Sequence, residues 1–115
     1  MHKYIASSDF SAYTTAQKII YFRYILLHLQ NNSFFPNPTI KLSKLSAKID
    51  NLELVHIYHN MDTSNKQLLE LVAQKEQEIE QLFQLQAKYV TITSEGNLEK
   101  IVSSGFKPCL KSNKN

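Results

Sequence analysis

The stretch SNKQLLELVAQKEQEIEQLFQLQAKYVTI, residues 64–92, decides the fold. It holds neither glycine nor proline, and Leu68, Leu69, Val72, Ile79, Leu82, Phe83, Leu85, Tyr89 and Val90 punctuate it at helical spacing. Ser64-Asn65-Lys66-Gln67 fits a capping box, in which Ser64 and Gln67 satisfy each other's backbone donors. The spacing predicts a helix of about 28 residues, ~42 Å at 1.5 Å per residue. Lys75-Glu76-Gln77-Glu78 is a polar interruption. Glu76 and Glu80 stand four apart, a mildly unfavourable like-charge pair unless a base on another helix answers it.

Upstream, residues 15–30 predict another helix, with Thr14 or Thr15 as its cap. Ala16, Ile19, Ile20, Phe22, Leu26, Leu27 and Leu29 spread over most of its circumference. An apolar arc that wide implies neighbours on more than one side. Arg23 interrupts it and is expected to snorkel or to pair with an acid of a later helix. Asn31-Asn32-Ser33 ends the helix, and Phe34-Phe35-Pro36-Asn37-Pro38 follows as a rigid loop anchored by its two phenylalanines. A further helix is expected from near Thr39 to about Met61. Leu42, Leu45, Ile49 and Leu52 step by 3, 4, 3, a heptad seam that continues either at His56 and His59 or at Val55, Tyr58 and Met61. Met1 to Tyr13 shows no clear period, although Tyr4, Ile5, Phe10 and Tyr13 are suited to packing on the domain.

Downstream, Gly96 closes the long helix and Asn97 caps a short one from Leu98 to about Ser104. Gly105 supplies the left-handed residue past its end, Phe106 the accompanying apolar contact, and Pro108 prevents continuation. Short links make neighbouring helices antiparallel. The expected fold is all-α: an antiparallel up-and-down bundle of three long helices plus a short C-terminal one. It forms a single domain over residues 1–106, followed by a flexible basic tail over 107–115.

Composition agrees. Two glycines and three prolines in 115 residues are too few for the many turns of an all-β chain. With 43% hydrophobic residues the chain can build a core. The single cysteine, Cys109, rules out an intramolecular disulfide and suggests a reducing, cytoplasmic setting. The most apolar run, Ile19 to Leu29, carries Arg23 and His28 and is shorter than the ~20 residues of a membrane span. No signal peptide or membrane association is expected. Charge is segregated. Residues 1–48 hold six Lys/Arg and one Asp, residues 49–99 three Lys and nine Asp/Glu, and residues 100–115 four Lys and no acid. A basic first half beside an acidic second half suggests complementarity between packed helices.

The segments Ala87-Lys88-Tyr89-Val90, Glu95-Gly96-Asn97 and Ile101-Val102-Ser103-Ser104-Gly105-Phe106-Lys107 resemble the C-terminal part of a family of small, uncharacterised bacterial helical proteins. Phe35-Pro36-Asn37-Pro38 resembles that family's loop between its first two helices. The resemblance implies a helical bundle. In many members the bundle precedes a fibronectin-type-III-like domain, which this sequence, ending nine residues after Phe106, is expected to lack. It implies no activity, cofactor or functional residue.

Chemistry is sparsely signalled. Glu53 and His56 match the Glu-x-x-His spacing of di-iron bundles, but no second copy of the motif exists. His56 and His59, three apart, would need a third metal ligand such as His28 or a glutamate. His2 stands alone in the leader. Cys109 has no nearby histidine or helix start to activate it, and no Gly-x-Ser-x-Gly or phosphate loop occurs. No enzymatic activity, metal or cofactor is therefore expected. Gln17, Tyr21, Tyr24 and His28 fall in one helical stripe, and tyrosine is enriched at protein interfaces. These four form the candidate partner surface. The expected function is a non-catalytic protein–protein interaction or scaffolding module, with a protein partner or self-association. The alternative is a small nucleic-acid or polyanion binder using the first helix and the basic end, Lys100, Lys107, Lys111 and Lys114.

Overall fold

The computed structural model describes residues 3–111. Three long helices, α1 (Thr15–Leu29), α2 (Leu42–Met61) and α3 (Lys66–Ser94), pack against one another, and a short α4 (Leu98–Ser103) follows. The helical bundle expected from the sequence is present. A two-stranded antiparallel sheet is added to it, formed by β1 (Tyr4–Ala6) and β2 (Pro108–Leu110).

An aromatic stack joins the elements. The Phe22 ring of α1 lies over the Phe83 ring of α3, with centroids 4.3 Å apart and planes within 12°. Phe10 meets Phe22 edge-on at 5.1 Å, and Phe106 approaches Phe83 at 6.4 Å. All four are essentially inaccessible to solvent. The heptad seam of α2 is also buried at Leu45, Ile49 and Leu52. Beyond Leu52 both His56 and His59 of the first continuation are half-buried, while of the second only Val55 is buried and Tyr58 and Met61 face solvent.

The caps follow hydrogen-bond logic. Thr14 closes a complete capping box with Gln17 at the start of α1. At α3 the cap is Asn65 rather than Ser64: its side chain accepts from Leu68 N. The reason is the preceding turn, in which the Ser64 hydroxyl and the Asn65 amide both donate to the Asp62 carboxylate. That draws Ser64 out of the capping position. α3 runs two residues past Ile92 and ends at Glu95 and Gly96, both left-handed.

α2 begins at Leu42, three residues later than expected, because Ile40 is already engaged. The fully buried Gln86 of α3 accepts from Ile40 N at 3.1 Å and donates to Ile40 O at 3.2 Å, as a neighbouring strand would. Tyr89 accepts from Asn37 N through its hydroxyl, and its ring covers the buried Phe35. Phe35 anchors the proline loop, while Phe34 is half-exposed beneath the Lys100 ammonium.

Residues 3–7 close on the end of α3, and residues 107–111 pair with them. Ala6 N donates to Thr91 Oγ1, and Tyr4 N donates to the Gly96 carbonyl. Ser7 N bonds Lys107 O, and Lys111 N bonds Lys3 O, flanking the paired strands. The expectation that the chain frays from Lys107 is thus corrected for residues 107–111; the rest of the expected tail, and His2, lie outside the described residues. Three-residue strands carry too little alternation to be read from sequence.

Gly105 shows why one residue type is required. Its φ is +89°, and a Cβ there would stand 2.9 Å from the Ile25 Cα of α1. Gly96, with φ +78°, would meet the base of the Lys3 side chain, its Cβ at 3.0 Å, and no backbone atom. Gly105→Ala is expected to destabilise the fold by about 2–4 kcal/mol, combining left-handed strain with displacement of packed backbone. Gly96→Ala is expected to cost about 1–2 kcal/mol. Urea unfolding followed by circular dichroism checks the order; equal midpoints for the two variants would show that the 105 turn is not pressed onto α1.

Candidate partner-docking surface

α1 is bound to its neighbours by charge as well as by aromatic contact. Lys18 is buried, with Nζ 3.5 Å from Glu76 Oε1 and 3.2 Å from Glu80 Oε1. Thr15 Oγ1 donates to the same Glu76 oxygen at 2.7 Å. The like-charged pair seen in the sequence is therefore answered from α1. Arg23 Nη2 donates to Asp50 Oδ1 at 3.0 Å and Glu53 Oε1 at 2.9 Å, and Lys48 pairs with Glu78. Each of these pairs joins the basic first half of the chain to its acidic second half.

Those contacts fix which face of α1 looks outward. Three of the four stripe residues, Gln17, Tyr21 and Tyr24, line one cleft on that face, and His28 lies beside Tyr24. Gln17 Oε1 accepts from Thr14 N and completes the cap. Tyr21 is half-buried against Phe10 and Tyr13, and its hydroxyl accepts from Lys107 N at 2.9 Å. Burial raises its phenol above the ordinary value; the Lys107 N–H opposes this, while Tyr13 and Tyr24 add to it. Tyr24 is exposed and His28 half-buried, their rings 4.1 Å apart. His28 Nδ1 lies 2.9 Å from the Tyr24 carbonyl, which can only accept, so Nδ1 carries a proton.

The most exposed apolar residues of the face are Ile20, Tyr24 and Leu27, at 69%, 49% and 67%. Their spacing, i, i+4, i+7, makes one ridge along α1. A shallow cleft of about 280 Å³ runs on one side, lined by Tyr13, Gln17, Ile20, Tyr21, Tyr24 and Lys107. A second, of about 450 Å³, lies between α1 and α2 and includes Arg23, Leu26, Leu27 and Leu42. A ridge between two grooves is the relief on which another helix packs. The sequence already held the signal: the apolar arc of α1 is wider than the neighbours it receives.

Elsewhere, the Glu-x-x-His pair is separated in role. Glu53 belongs to Arg23, and His56 Nε2 faces the Asn60 side-chain amide at 3.4 Å. His59 Nε2 is buried without a hydrogen-bond partner. Among the described residues, no three His, Cys, Asp or Glu side chains come together as a metal-holding group. Cys109 is exposed on β2. An open cleft of about 710 Å³ lies between β1 and α3, floored by Ile5, Ala6, Leu85 and Ala87. Leu54, Ile57, Tyr58 and Met61 form a second exposed stripe at the end of α2. No helix among the described residues is long and apolar enough to cross a membrane.

No family model, curated protein or solved structure matches the chain.

The raised Tyr21 phenol gives a direct check of how this face is built. A phenol whose pKa is raised by folding favours the neutral form in the native state. Its contribution to stability is present below the ordinary value of 10.0 and is lost as pH rises through the folded value. In an absorbance titration of the phenolates, Tyr21→Phe is expected to remove a late-titrating component, and Tyr24→Phe to leave that component in place. Loss of the same early component in both variants would show that Tyr21 is not covered.

Proposed function

We propose that the chain is a non-catalytic helical module that docks a protein partner on the outer face of α1. One observation carries this reading: Ile20, Tyr24 and Leu27 stand exposed as a continuous ridge on a helix whose opposite face is held by buried aromatic and ionic contacts. Isolated exposed apolar residues are ordinary on any protein surface, but a contiguous apolar ridge marks an interaction site. The helix presenting it is fixed in place, so little ordering is needed on association. The partner is a different protein.

A second reading, a polyanion binder, is favoured by one juxtaposition. Pairing of the chain ends brings Lys3 beside Lys111, and Lys100 lines the same shallow cleft as Lys3. Salt-dependent retention on DNA, weakened by Lys3→Glu, is the expectation of that reading.

The tests separate cleanly. A tagged protein is recovered from native lysate with and without nuclease, beside the Ile20→Glu/Leu27→Glu double variant. The docking reading expects a stoichiometric protein partner that survives nuclease and is lost from the variant, while the variant keeps its helical spectrum and unfolding midpoint within about 0.5 kcal/mol, as suits surface substitutions. A partner retained by the variant would place docking elsewhere. Proteins lost on nuclease treatment would favour the polyanion reading.

A further inference from the structure

The docking ridge has a chemically uneven border, and this deepens the reading just given, on which it rests. Along the cleft side stands Lys107. Its main chain is fixed twice, by the N–H bond to the Tyr21 hydroxyl and by the carbonyl bond from Ser7 N. Its ammonium is held over two aromatic faces, 4.9 Å from the Tyr13 centroid and 5.9 Å from that of Tyr21. Among the described residues no acidic side chain pairs with it. α1 carries no acid between Thr15 and Leu29. Arg23, on the other border, is already engaged by Asp50 and Glu53. The rim of the cleft between Tyr13, Tyr21 and Tyr24 thus presents one exposed, positioned, unanswered cation beside an apolar ridge.

We infer that the partner is an amphipathic helix that lays apolar residues spaced i, i+4, i+7 against Ile20, Tyr24 and Leu27 and places a carboxylate on Lys107. The ridge sets the helical spacing, because side chains of a second helix settle into the grooves on either side of it. The cation sets the flank. A carboxylate gains a charge-assisted bond there, and a lysine at the same place meets like charge. The aromatic rings beneath Lys107 keep its ammonium at the cleft rather than leaving it free to sweep through solvent.

The probes are three fluorescein-labelled helical peptides with the same leucine ridge, differing only in the flanking residues: Glu, Gln or Lys. Fluorescence anisotropy is measured against the wild type, Lys107→Glu and Ile20→Glu/Leu27→Glu. The Glu-flanked peptide is expected to bind roughly tenfold more tightly than the Lys-flanked one at low salt, with the Gln-flanked peptide between them. Lys107→Glu reverses that order, and the ridge variant binds none of them. Equal affinities that vanish in the ridge variant would overturn the acidic-partner inference and leave the docking face standing. Failure of all three peptides would overturn both. Vesicles of phosphatidylglycerol and phosphatidylcholine form the last arm: ridge-dependent binding to them, with no preference among the peptides, would overturn the inference in favour of an anionic lipid surface.

Discussion

The Phe22–Phe83 stack is the contact around which the other elements are arranged. Two rings at 4.3 Å fix the height and rotation of α1 on α3, since a helix that turns by one residue carries its ring away by about 100°. Phe10 and Phe106 then close on the same pair from opposite ends of the chain. The leader, the first helix, the third helix and the C-terminal turn therefore share one aromatic cluster. Truncating such a ring typically costs about 3–5 kcal/mol, a large part of a small domain's stability.

Electrostatics sharpens the same registration. Lys18 is buried between Glu76 and Glu80, where desolvation would be costly if either partner moved away. A buried lysine with two carboxylates and a hydroxyl beside them specifies one position of α1 along α3. Arg23 does the equivalent toward α2 from a more exposed position, where an ion pair contributes little energy. Aromatic packing thus holds α1 in place, and charge selects among nearby registers.

The outward ridge follows from these inward commitments. With Lys18, Ile19, Phe22, Ile25 and Leu29 turned to the core, helical geometry sends Ile20, Tyr24 and Leu27 to the opposite side. The leader covers Tyr21 but stops there, and no other described element reaches across the ridge. Gly105 lets the C-terminal turn approach α1 so closely that Lys107 arrives at the edge of the tyrosine cleft. The proposed docking surface is accordingly assembled from a helix near the start of the chain and a turn near its end.

The sequence alone determined the helices, because helix formation rests on local spacing, capping residues and breakers, all legible within a few turns. The long α3, a threonine cap at Thr14 or Thr15, the Asn97 cap, the Gly105 stop and the need for a base beside Glu76 and Glu80 could each be read from neighbouring residues. Tertiary structure decided what depends on distant segments meeting. Gln86 delays α2 by bonding Ile40, forty-six positions away, and Thr91 anchors Ala6 across eighty-five. The strands exist only because the chain ends are brought together, since three residues have no periodic signal of their own. The candidate surface divides in the same way. Tyr24 is exposed and His28 half-buried, Gln17 is taken by a local cap, and Tyr21 is covered by a leader whose position no local pattern encodes. Local chemistry fixes which side chains a helix presents on each face; only the packing of remote segments fixes which of those faces remain open.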